Sequence, residues 1–259
     1  MIHLETVLGG ALLAGAWTGA WIVRGERPSA GRSAALVAGL LAFGVALNGP
    51  LHDLAERSRF SAHMAQHLLL TLIAPSCLLA AAPAWMVDGL LAPLRRVPWL
   101  NAVARVSTRA IPALALYAAA LVAWHLPGPF GAALESHAWH IVEHAALTGT
   151  ALLAWWPVLS SSRLFPALPY GAQLLYLFAF GMPMTVVAAM ITGAEEVLYP
   201  FYAEAARATG MDPLADQRLG GILMWVPAGV VPLVAFTIVF FRWAAAEADD
   251  VAEGMDCPK

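Results

Sequence analysis

Five of the chain's eight histidines fall at helical spacing. His63 and His67 are four apart in FSAHMAQHLLL. His137, His140 and His144 follow at steps of three and four in HAWHIVEHAAL. On a helix each set shares one face. Neutral imidazole binds copper, zinc, iron and nickel, so two such helices turned toward each other could close a metal site. His125, beside Trp124, offers an imidazole from a third helix. Met64, inside the first set, adds a thioether. Thioethers favour Cu(I), although a methionine in an apolar run is more simply core packing. His3 and His52 stand alone, and the plain reading of a lone interfacial histidine, and of His137, is a hydrogen-bonding residue at headgroup level. Cys77 and Cys257 have no CxxC partner, so neither a disulfide nor a thiolate metal site is read from them.

Elements long enough to position these residues must cross a membrane. Of 259 residues 60% are apolar and 12% charged, and mean hydropathy is +0.70. Soluble domains carry about a quarter charged residues. Net charge is −3 with one lysine, Lys259, which leaves no basic surface for nucleic acid. A spanning helix needs about 20 apolar residues. The chain offers seven such runs, near 4–23, 33–51, 62–87, 110–126, 138–159, 170–192 and 219–242. The expected fold is therefore all-α, a polytopic bundle of about seven transmembrane helices over 1–243. An acidic, disordered tail is expected over 244–259. The first run has no preceding Lys or Arg, so it reads as a retained span rather than a signal peptide. Kinks are expected at Pro75, Pro183, Pro227 and Pro232. Trp85, Trp99, Trp139, Trp155, Trp156 and Trp243 read as an interfacial belt.

Arginine sets the orientation. Arg24, Arg27 and Arg32, then Arg95, Arg96, Arg105 and Arg109, then Arg163 and Arg242 fall in alternate loops. The other loops hold fewer: Arg57 and Arg59, then Arg207 and Arg218. The N-terminus is thus expected outside and the C-terminus in the cytoplasm. On that layout all eight histidines lie at the outer side. Glu143 lies there too, and a carboxylate near membrane depth is costly and functional by default. It sits about 100° around the helix from His144. That favours a partner orienting a ligand imidazole over a ligand. Asp53 is read the same way beside His52.

FSAHMAQHLLLTLIAPSCLLAAAPAW, WHLPGPFGAALESHAWHIVEHAALTGTALLAWWPVL and YPFYAEAARATGMDPLADQRLGGILMW resemble the membrane CtaG family. These are assembly factors for caa-type cytochrome c oxidases. The resemblance covers nearly the whole chain, in order. It implicates His63, Met64, His67, His125, His140, Glu143 and His144, with Asp53, Asp216 and Gln217 as supporting residues. His3 and His137 stand as extras, and APSC departs from the family's APP at Ser76. The resemblance implies a bacterial inner-membrane protein that is not an enzyme. It would bind copper at an outer-facing His/Met site and support its insertion into a nascent oxidase subunit. The expected partners are that subunit, a periplasmic copper chaperone and the bilayer.

Three other readings come from the residues. HIVEH matches the HxxEH zinc-protease signature, with Glu143 as base, zinc as metal and Glu195, Glu196 or Glu204 as third ligand. His67 with His144 could ligate haem axially. Met182 and Met184 could mark the path of a copper permease.

Overall fold

The structure is a computed structural model and describes residues 3–208 and 210–255. Cys257 and Lys259 lie outside that range. Among the described residues every regular element is helical. Five helices or continuous helical runs are long and apolar enough to cross a membrane. They are α1 (Leu4–Arg24), α2 (Ala30–Leu47), the run through α4 (Phe60–Leu68) and α5 (Ala74–Ala81), the run through α11 (Tyr170–Phe180) and α12 (Met182–Gly193), and α14 (Pro213–Met255). A sixth arises if α7 (Pro98–Ser107) and α8 (Ala110–His125) count as one span, bent by 80°. The seventh expected span is α10 (His137–Leu159), 23 residues long. At 1.5 Å per residue it reaches about 34 Å, enough for a hydrocarbon core of about 30 Å. Its three histidines and Glu143 lower the apolarity of its first turns.

The bundle is layered from lipid to core. Only 11% of the apolar window of α1 is buried, against 56% for Phe60–Ala81. The α4–α5 run is thus central and α1 peripheral. α10 packs on α5, α8 and α11, and α14 packs on α4, α11 and α12. Three short helices crowd one end of the bundle: α3 (Gly49–Arg57), α9 (Pro127–Glu135) and α13 (Pro200–Ala208). Each has a proline in its first turn, where a missing N–H costs nothing and φ is already helical. Gly49, at φ 71°, takes the left-handed turn between α2 and α3. At the other end α6 (Ala84–Leu91) presents Asp88, which accepts from the Ser162 hydroxyl and the Arg163 and Leu164 amides. Burial works against that charge, but these hydrogen bonds outweigh it and hold the carboxyl below its usual range.

The prolines behave differently from one another. Pro75 has no N–H for the Thr71 carbonyl, and a π turn, Leu69–Ile73, precedes it. The freed carbonyl takes the Trp155 indole N–H at 3.0 Å. The break between α11 and α12 falls at Gly181, just before Pro183. α14 continues through Pro227 and Pro232 and on to Met255, into the segment expected as a tail; 256–259 lie outside the described residues. Two tryptophans correct the expected belt. Trp155 and Trp156 are buried, and the Trp156 indole donates to Phe165 O at 2.8 Å. Each has found a carbonyl inside the protein, whereas Trp99 and Trp139 are exposed.

Candidate metal centre

The two expected histidine pairs converge. His63 and His67 project from α4, and His140 and His144 from α10. The His63 and His67 Nε2 atoms are 3.0 Å apart, and those of His140 and His144 are 3.1 Å apart. Atoms this close can both reach one ion at about 2 Å. The His63 ring lies 5.4 Å from that of His140 and 5.8 Å from that of His144. His125, at the end of α8, completes the group, 5.3 Å from His67 between ring centroids. Ligand atoms of His63, His67, Glu143 and His144 all lie within 4.8 Å of one another, and all four residues are buried.

Hydrogen bonds decide which nitrogen of each imidazole is open. The Tyr202 hydroxyl donates to the Ala55 carbonyl, so its oxygen accepts from His63 Nδ1–H at 3.1 Å. His125 Nδ1–H donates to Leu121 O at 2.7 Å. His140 Nδ1–H donates to Glu56 Oε1 at 3.2 Å. A neutral imidazole has one N–H, so Nε2 of His63, His125 and His140 each carries a lone pair. This is the arrangement by which proteins orient metal-binding histidines. His67 and His144 then supply the Nε2–H within each close pair, and those two protons must move to Nδ1 when an ion binds. His67 Nδ1 and His125 Nε2 are buried without a hydrogen-bond partner.

Glu143 faces the imidazoles directly. Its oxygens lie 3.5 Å from His63 Nε2 and 3.6 Å from His67 Nε2. The residue is fully buried, and neither oxygen has a hydrogen-bond partner. The role expected for it, orienting a ligand, weighed its angle to His144 alone. Counted from His140, Glu143 is only about 60° around the helix, and α4 stands against that side of α10, so its carboxylate reaches the centre as a potential ligand.

The orienting carboxylate is Glu56, which the sequence reading passed over. One Glu56 oxygen lies 3.2 Å from both His52 Nε2 and His140 Nδ1. Gln66 fixes the other side of His52, donating to Ala46 O and to His52 Nδ1. His52 therefore carries its proton on Nε2, near Glu56 but without a hydrogen bond to it. The signal was present: His52 and Glu56 are an i, i+4 pair on α3. Asp53, one residue along, is half-buried. Tyr202 had no comparable signal, being 139 residues from His63.

The remaining expected residues brace the centre. Asp216, on α14, accepts from the Phe60 and Ser61 amides and from the Ser61 hydroxyl. It caps the start of α4 from another helix. Gln217 accepts from the Leu198 amide and donates to Glu196 O. That pins the segment leading to Tyr199 and Tyr202. Tyr199 in turn donates to the His125 carbonyl. Gly220 and Gly221 let α14 lie close: a Cβ on Gly220 would run into the Phe60 ring, and one on Gly221 into Thr192. Met64 is buried and packs against Gly220. Met184 is in the core, and Met182 is about half exposed on the bundle's outside.

Fold and site together define a multi-pass membrane protein with an imidazole–carboxylate centre near one end of its bundle. The family model of the cytochrome c oxidase caa3 assembly factor (Caa3_CtaG) matches residues 14–246, and the chain belongs to that family. No curated protein and no solved structure matches it. The matched range contains every residue of the centre; His3 precedes it.

Proposed function

We propose that the chain holds copper as cargo at this centre and gives it to a nascent oxidase subunit at the outer face of the bacterial inner membrane. The observation that carries the reading is Glu143. An ionised, unpaired carboxylate in such an interior costs several kcal/mol even after relaxation. Here it lies among imidazoles whose Nε2 lone pairs are set by their neighbours. A bound cation would satisfy both. Imidazole and carboxylate without thiolate also suit zinc, and family membership tips the choice to copper. His63, His67, His144 and Glu143 would hold the ion, with His140 and His125 at the margin.

The competing readings fit less well. A haem between His67 and His144 needs a flat slot, but the His63 ring packs against both. In a protease, Glu143 would need water and a cleft. Instead it faces His63 and His67, while Glu195 and Glu196 are exposed. A permease path through Met182 would run outside the bundle. We therefore read the role as non-catalytic. Seven crossings with the N-terminus outside complete the proposal. They place the centre where a periplasmic donor and an oxidase subunit can reach it.

The cellular test is the His67→Ala, His144→Ala protein expressed from its own locus. Each substitution removes an imidazole, and Ala keeps the helix intact. The oxidase is expected to accumulate with most of its copper missing. An oxidase with parental copper content, beside normally inserted variant protein, would overturn the proposal.

A further inference from the structure

The centre is joined to the surface by the remaining histidines. Neighbouring ring centroids are 6.4 Å apart for His137 and His3, 4.5 Å for His3 and His52, and 6.1 Å for His52 and His140. All eight histidines thus form one connected set, exposed at His137 and buried at His67. A cavity of about 510 Å³ follows this line. His3 and His137 line it, as do His140 and His144, while Phe43 and Ile141 contribute to its apolar wall.

His3 is built like the histidines of the centre. Its Nδ1–H donates to Glu5 Oε1 at 3.0 Å, so Nε2 carries the lone pair, and that atom is buried without a partner. The residue is not on a loose end. Its backbone N–H donates to Asn48 Oδ1 at 2.7 Å, and Asn48 donates in turn to the Thr6 hydroxyl. His52 cannot serve in the same way, because Gln66 donates to its Nδ1 and so leaves the proton, not the lone pair, on Nε2.

We propose that His3 and His137 form an outer capture position, where copper is first bound and from which it crosses the cavity to His140 and His144. The inference rests on the copper reading above. It adds a site that draws one of its two residues from outside the range shared with the family: His3 lies before residue 14, and His137 lies within the match. Transfer is exchange of one imidazole for another with no change in oxidation state. His144, which lines the cavity and also belongs to the buried group, is the ligand common to the last two stages. Capture raises the effective copper concentration at the inner site, so its loss slows loading without changing what is finally held.

The test follows Cu(I) transfer from a coloured Cu(I) chelator to the purified full chain in detergent. The His3→Ala, His137→Ala protein is compared with the parent and with the His67→Ala, His144→Ala protein. The outer pair is expected to load about tenfold more slowly and reach the parental copper content. Its Asn48 anchor is kept, because that bond uses the His3 backbone. A parental loading rate, or a lowered final content in place of a slower rise, would overturn the capture position. The inner pair reports separately on the copper reading. If it holds copper as tightly as the parent, that reading fails whatever the outer pair does.

Discussion

At the residue scale the centre depends on which nitrogen of each imidazole is kept open. Tyr202, Leu121 O and Glu56 each take an Nδ1–H and so leave Nε2 of His63, His125 and His140 to face inward. Tyr202→Phe removes the acceptor for His63 and nothing from the set of ligands. Copper affinity, measured by chelator competition, is expected to fall about 10- to 100-fold. An unchanged affinity would mean that His63 is not oriented this way. The clustered histidines were legible in the sequence because helical spacing makes a face. That the Glu143 carboxylate faces the α4 imidazoles was not legible, since its position depends on where α4 stands relative to α10. Tyr202 was not legible at all: a contact across 139 residues leaves no periodic mark.

At the scale of elements the DQRLGG stretch explains how α4 is held. Asp216 caps its start, and Gly220 lets the Phe60 ring and Met64 rest on the α14 backbone. Gly220→Ala forces a methyl against that ring, so α4 must shift and carry His63 and His67 with it. A loss of about 1–3 kcal/mol is expected for such overpacking, seen as a lower melting temperature in detergent together with weaker copper binding. Unchanged melting would show that α4 does not depend on this approach. The sequence displayed the glycines and the Asp–Gln pair but not their partners, which are fixed only when the last helix docks against the third span. Pro75 was legible as a disturbance; that Trp155 would take the freed Thr71 carbonyl follows from packing.

At the scale of the whole molecule the long apolar runs were legible because lipid demands such stretches; five helical runs, or six with the bent α7–α8 pair, are long and apolar enough to cross. The short helices α3, α9 and α13 were not, since they are too brief and too mixed to leave a pattern. They supply Glu56, Phe130 and Tyr202, which close the centre from above. The orientation rests on arginine. A reporter active only outside the cytoplasm is expected to work when fused after Ser136 and to fail after Arg95; the reverse result would place the centre on the cytoplasmic face. The central claim is that this buried group binds copper. It is tested most directly by the copper content of the chain purified without chelator, measured beside the His67→Ala, His144→Ala protein prepared identically. The parent is expected to carry copper and the variant to have lost most of it. Equal copper in the two, or none in a parent that binds none when it is supplied, would contradict the account.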